Sequence, residues 1–175
     1  LMKKVRIKSL SESEISRAIN EVQAYKKDLI RKVGLFREKL AEEVQSDAQD
    51  RFNSSAIDSL VGGGSRGSSV KVSVDPGSGK ITTVIASGED AVWVEFGAGV
   101  HFNGSVGSSP HPDGTSLGMI IGGYGKGNGK REIWGFYDDE KNLVLTYGTK
   151  ATMPMYNALK DVAGRIAEIA EEVFR

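Results

Sequence analysis

AVWVEFGAG, residues 91–99, is the stretch on which the reading of this chain turns. Val92, Trp93, Val94 and Phe96 make it apolar, Glu95 interrupts it, and Gly97-Ala98-Gly99 breaks it off. β-Branched and aromatic residues favour extended chain, so the stretch is expected to be the end of a central strand. Alternation of side chains then turns Glu95 outward on a half-exposed face.

Upstream, Val70, Val72 and Val74 alternate with Lys71 and Ser73, and DPGSG at 75–79 supplies turn chemistry before ITTVI at 81–85. This is a hairpin. A second hairpin is expected from EIWGFY at 132–137 and LVLTY at 143–147, joined across residues 138–142. Between the hairpins, eleven of the thirty-three residues from 97 to 129 are glycine, against an average usage near 7%. Ordering so much glycine is costly in entropy, so the segment reads as a functional or disordered insertion of about 97–130. Leu117, Met119, Ile120 and Ile121 are its candidate anchors. GGGSRGSS at 62–69 reads as a second flexible loop.

Helices flank these elements. Ser11 with Glu14 matches a capping box. Ile15, Ile19, Val22, Leu29, Ile30 and Val33 mark one apolar stripe, and Leu35, Phe36, Leu40, Val44, Ala48 and Phe52 mark a second. Both are expected to be buried, with a kink or break at Gly34, where glycine costs about 1 kcal/mol against alanine. Val5 and Ile7 alternate with Arg6 and Lys8, as in an edge strand or extended arm. Pro154 suits a first helical turn. Met155, Leu159, Val162, Ile166, Ile169 and Val173 then repeat at four, three, four, three and four, predicting one unbroken helix with Ile166 in its core face. The architecture is α+β: an antiparallel sheet of four to five strands packed by a long N-terminal helix and a C-terminal helix, in one domain spanning 1–175.

Composition narrows function mainly by exclusion. Twenty-three basic residues balance twenty-three acidic ones, so no global field favours nucleic acid or an anionic membrane. Without cysteine there are no disulfides or thiolate metal sites, and a reducing compartment is expected. LMKKVRIKSL lacks the apolar segment of a secretory signal, and no run of eighteen apolar residues predicts a membrane span.

The glycine-rich run GGYGKGNGK at 122–130 fails as a phosphate loop, because Tyr124 stands where the first glycine belongs and Arg131 follows Lys130. It fails as a dinucleotide fingerprint at Asn128, and a strand follows where a helix is required. His101, His111 and Asp113 lack zinc-ligand spacing, so both histidines read as loop residues without a chemical role. His111-Pro112-Asp113 matches a co-chaperone signature only by coincidence, since the flanking helices are missing. No Gly-x-Ser-x-Gly elbow is present. Glu95 has no visible second group for acid–base work. No catalytic, cofactor or metal site is expected.

Residues 91–99, followed by GTKATMPM at 148–155 and a long terminal helix, resemble a tail-component family of long-tailed bacteriophages and their prophages. Members often share a V-E-F/Y-G-T/A-G strand end and a proline-then-aliphatic entry into the last helix. The long N-terminal helix also agrees, so the resemblance covers most of the chain. Segment 100–130 exceeds a minimal member, as in prophages of Gram-positive bacteria.

The resemblance implies a non-enzymatic virion protein of the neck, acting in head–tail joining or tail completion as a ring of six copies. Its partners would be itself and tail-terminator, tail-tube or head-closure proteins. DNA would pass through the ring without specific recognition, and no membrane would be involved. Assembly would occur in the host bacterial cytoplasm. Val94, Glu95, Phe96, Gly97, Gly99, Met153 and Pro154 would hold structural roles. The alternative is a tail-associated module binding a surface glycan or another virion protein, with Trp93, Trp134 and Tyr124 as stacking platforms. A hydrolase using Glu95, His101 or His111 is the third reading.

Overall fold

A computed structural model describes residues 4–7, 9, 11–58, 65–77, 80–99, 111–114, 116–117, 133–138, 140–146 and 148–175. The chain is α+β. Helix α1 (Glu12–Ser54) spans 43 residues, about 65 Å at 1.5 Å per residue. Ser11 caps it, its hydroxyl accepting the Glu14 N–H at 3.4 Å. The helix runs unbroken through Gly34, where a side chain would meet open space. The expected break is absent because one glycine costs less than the continuous ladder around it supplies.

Strands β1 (Ala56–Asp58) and β2 (Ser65–Gly67) pair antiparallel, so the expected loop 62–69 holds a strand at its centre. β3 (Lys71–Asp75) and β4 (Thr83–Ser87) form the first hairpin, with Val72 opposite Ala86 and Val74 opposite Val84. β6 (Trp134–Tyr137) and β7 (Leu143–Thr146) form the second. Between them lie α2 (Ala91–Phe96) and β5 (Ala98–Gly99), which pairs with β8 (Gly148–Thr149). α3 (Pro154–Gly164) and α4 (Ile166–Phe174) complete the order. Residues 4–7 form no regular element.

Among the described residues the strands do not form one sheet of four to five strands. The described strands form four two-stranded antiparallel pairs. Two physical causes are visible. The outer edge of β3 is occupied by α1: Gln49 donates to Val70 O at 2.9 Å and accepts from Val72 N at 2.7 Å, and Gln45 donates to Val72 O at 3.2 Å. Side-chain amides thus take the backbone groups that another strand would need. The second cause is that residues 91–96, expected as a central strand, coil into a helix.

The core gathers around the C-terminal half of α1. Val44, Ala48 and Phe52 meet Val70 just before β3, Val72 of β3, Val94 of α2, Ala158 and Val162 of α3, and Ile169 of α4. Phe52 and Val94 are fully buried, each stabilising the fold by about 1.5–3 kcal/mol. Of the second predicted stripe of α1, Phe36, Leu40, Val44, Ala48 and Phe52 pack inward while Leu35 is exposed; the first does not pack, and Ile15, Ile19, Val22, Leu29, Ile30 and Val33 are all exposed.

The terminal helix is also corrected. It breaks at Arg165 after Gly164, a poor helix former, and the turn is pinned to α1 by an Arg165–Glu43 ion pair at 2.6 Å. Its inward face carries Ala158, Val162 and Ile169, leaving Leu159 and Ile166 exposed. Arg51 to Asp161 at 2.6 Å and the Lys39–Glu172 pair further tie α1 to the terminal helices.

Candidate functional site: a carboxylate joint between two distant segments

On a strand, Val94 and Glu95 would point to opposite faces; on a helix they share one with Ala91. The protein takes the helix, burying Val94 in the core and Glu95 beside α3. The turn at 88–90 starts α2, with Ala91 N donating to Gly88 O and Val94 N to Asp90 O. Buried Asp90 turns its carboxylate elsewhere, accepting from Ser69 N at 3.2 Å and Ser69 Oγ at 2.8 Å, which fixes α2 to the start of β3. Gly97 ends the helix, its N–H reaching Trp93 O at 2.7 Å, with φ 85° and ψ 163°. That backbone region is essentially restricted to glycine.

α3 begins without a cap of its own. Met153 precedes it at φ 53° and ψ 52°, with no side-chain oxygen to offer, and Pro154 brings no N–H. Glu95 fills the gap from another element. Its Oε2 accepts the Met155 N–H at 2.8 Å and its Oε1 the Tyr156 N–H at 2.9 Å. These are the donors that an N-terminal cap normally satisfies, and the negative charge sits where the helix dipole favours it. Thr152 N donates to Val94 O at 3.0 Å, adding a backbone link beside the carboxylate. Thr152 Oγ1 meets Ser55 Oγ at 2.7 Å, so the same junction reaches the end of α1.

His111 completes the joint. HPDG at 111–114 forms a tight turn closed by Gly114 N donating to His111 O at 2.9 Å, with proline and glycine at their favoured positions. His111 Nδ1 accepts the Asp113 N–H at 3.0 Å, which leaves the ring proton on Nε2, 3.2 Å from Glu95 Oε1. The buried imidazole lies 4.5 Å from the Phe96 ring and 5.2 Å from that of Tyr156, centroid to centroid. Both histidines were expected to be idle; His111 is a structural tie, and the legible signal was the Pro-Asp-Gly turn. His101 lies outside the described residues.

Of the seven predicted positions, Val94 and Glu95 bond to Thr152, Met155 and Tyr156 on either side of Met153 and Pro154, Gly97 ends α2, Phe96 stacks near His111, and Gly99 pairs with Gly148. Glu95 is buried rather than turned outward, correcting the strand reading. Sequence reasoning missed Gln49, Asp90 and His111.

Next to the joint a groove of about 710 Å³ opens, walled by Leu40, Val44, Val84, Val92, Phe96 and Leu159. Its polar lining includes Glu95, Arg37, His111 and Asp113; the Glu95 carboxylate accepts two backbone hydrogen bonds and faces His111 Nε2 at 3.2 Å. The arrangement suits holding elements together and receiving an apolar segment. Among the described residues no cluster of three or more metal-ligating side chains occurs, and no helix is long and apolar enough to cross a membrane. Of the anchors considered in the insertion, Leu117 is exposed, and residues 119–121 lie outside the described set. Tyr124 lies outside it as well. No family model, curated protein or solved structure matches the chain.

Proposed function

We propose that this protein is a non-enzymatic subunit of a phage or prophage neck, acting in head–tail joining or tail completion as a ring. The observation that supports it is the joint itself: residues 91–99 and 148–155, which carry the family resemblance, are fastened together through Glu95, Thr152 and the β5–β8 pair. A motif whose carboxylate serves as a helix cap is a motif for building a rigid body. Head-to-tail rings also need two different complementary surfaces on each subunit, and the apolar groove supplies a receiving one. Its greasy walls fit a protein segment better than a glycan.

Deletion of the gene from an inducible prophage tests the reading. Filled heads and free, unjoined tails are expected by electron microscopy, with joining restored by the purified protein. Intact virions from the deletion strain would sink the proposal.

A further inference from the structure

α4 ends against α1, with Phe174 O near Lys32 Nζ at 3.5 Å and the Phe174 ring 5.8 Å from that of Phe36. From there α1 continues N-terminally to Glu12, about 30 Å of helix at 1.5 Å per residue. Along this projection Ile15, Ile19, Val22, Leu29 and Val33 are 39%, 50%, 53%, 40% and 50% exposed. Ile15, Val22 and Leu29 share one heptad position, Ile19 and Val33 the other, and Lys26 fills the gap between them. That is the seam of a two-helix coiled coil lacking its second helix.

We infer that the missing helix is the same segment of a second copy, running antiparallel. Charge decides the direction. Residues 12–21 carry Glu12, Glu14 and Glu21 against Arg17 alone, whereas residues 26–32 carry Lys26, Lys27, Arg31 and Lys32 against Asp28 alone. A parallel pair stacks acid on acid and base on base; an antiparallel pair lays each acidic end over a basic one. Alternating the two heptad positions across the seam sets Ile15 beside Val33 of the other copy and Ile19 beside Leu29. The two-fold axis then falls near Ala24, and the Lys26 ammonium reaches out to water past its apolar stem. Area agrees: the stripe bares roughly 500 Å² per copy, the size of the largest patch on a typical monomer. Two such stripes with their flanking side chains reach the ~1,200–2,000 Å² of a stable interface. The contact is isologous and does not depend on the neck reading, whose ring would close through other faces.

Because the chain has no cysteine, single substitutions report cleanly. Full-length Ile15→Cys and Val33→Cys proteins, mixed in a glutathione redox buffer, are expected to form the mixed disulfide dimer, with neither variant linking to itself. Leu29→Glu, which sets a carboxylate against Ile19 and the acid-rich segment of the other copy, is expected to weaken dimerisation at least about 100-fold in sedimentation while the melting temperature at low concentration holds. Self-linking of Ile15→Cys at the level of the mixture would establish a parallel pair and overturn the inference. So would absence of any cross-link, a wild-type chain monomeric at about 100 µM, or a Leu29→Glu dimer as tight as wild type.

Discussion

Glu95 caps a helix sixty residues away: its Oε2 accepts the Met155 N–H at 2.8 Å, at the start of α3. The carboxylate therefore binds α2 to α3 more specifically than apolar packing can, because only one placement satisfies both the Met155 and Tyr156 donors. His111 then holds the carboxylate from its other side, between the Phe96 and Tyr156 rings. Three chain segments thus depend on one side chain.

Removing that side chain should be costly. Glu95→Ala leaves two helix-start donors buried beside an imidazole, and charge-assisted bonds contribute about 1.5–3 kcal/mol each before relaxation. A loss of about 3 kcal/mol is expected in urea denaturation, with Glu95→Gln losing less because one oxygen can still accept. A Glu95→Ala midpoint equal to wild type would show that water replaces the cap without penalty.

Gly97 should resist substitution for a backbone reason. At φ 85° and ψ 163° an alanine is strained, so Gly97→Ala is expected to cost about 1–3 kcal/mol. The loss should appear without any change in cooperativity, since no core contact is removed. Equal stability by thermal melting would mean that the α2–β5 corner relaxes freely.

The contact of His111 Nε2 with Glu95 at 3.2 Å makes a prediction of another kind. His111→Gln can place an N–H near the carboxylate and should keep more stability than His111→Ala, which is expected to lose about 1–2 kcal/mol. Urea midpoints of the two variants decide the matter. Equal losses would assign the histidine's worth to its ring contacts with Phe96 and Tyr156 rather than to its polar contact with Glu95.

What could be read from residues alone follows the range of the interactions involved. Both hairpins and both helical ends are written in local periodicity, and Val72 opposite Ala86 needs only a turn between two alternating runs. Residues 91–96 are different. Their valines and aromatics favour a strand locally, and the helix wins because it alone turns Val94 into the core and Glu95 toward α3 together. Nothing within the stretch announces a helix start sixty residues on. Likewise Gln49 looks like an ordinary polar helix residue until β3 lies alongside it. The first stripe of α1 shows the converse: its periodicity is plain, but periodicity cannot say whether the partner is the same chain.

The terminal helices offer a paired test of facing. Ile169 is 2% exposed in the core, while Ile166, on the same apolar repeat, is 48% exposed after the break at Arg165. Ile169→Asp buries an unpaired charge and should lose upwards of about 4 kcal/mol, enough to unfold a marginal domain. Ile166→Asp should stay within about 1 kcal/mol of wild type. Circular dichroism melts of the two variants separate these outcomes, and equal damage would restore the uninterrupted helix.

The clasp between α1 and α4 should respond to acid. The hydrogen bond from Lys39, reinforced by its charge, holds the Glu172 carboxyl below its ordinary value of 4.5. A carboxyl that is more acidic folded than unfolded contributes stability in full above the unfolded value and loses it as pH falls through the folded one. Wild type should therefore exceed Glu172→Gln by a constant small margin near neutrality, and the margin should shrink below pH 4.5. The pair is exposed, so salt should shrink it as well, with a Debye length of about 8 Å at physiological ionic strength against about 3 Å at 1 M. Denaturation midpoints of both proteins across acidic pH, at low and high salt, check this. A margin that persists unchanged into strong acid would show that it does not come from the ionised Glu172 carboxylate, and no margin at any pH would mean that α4 is held by Ile169 and the Phe36–Phe174 contact without the clasp.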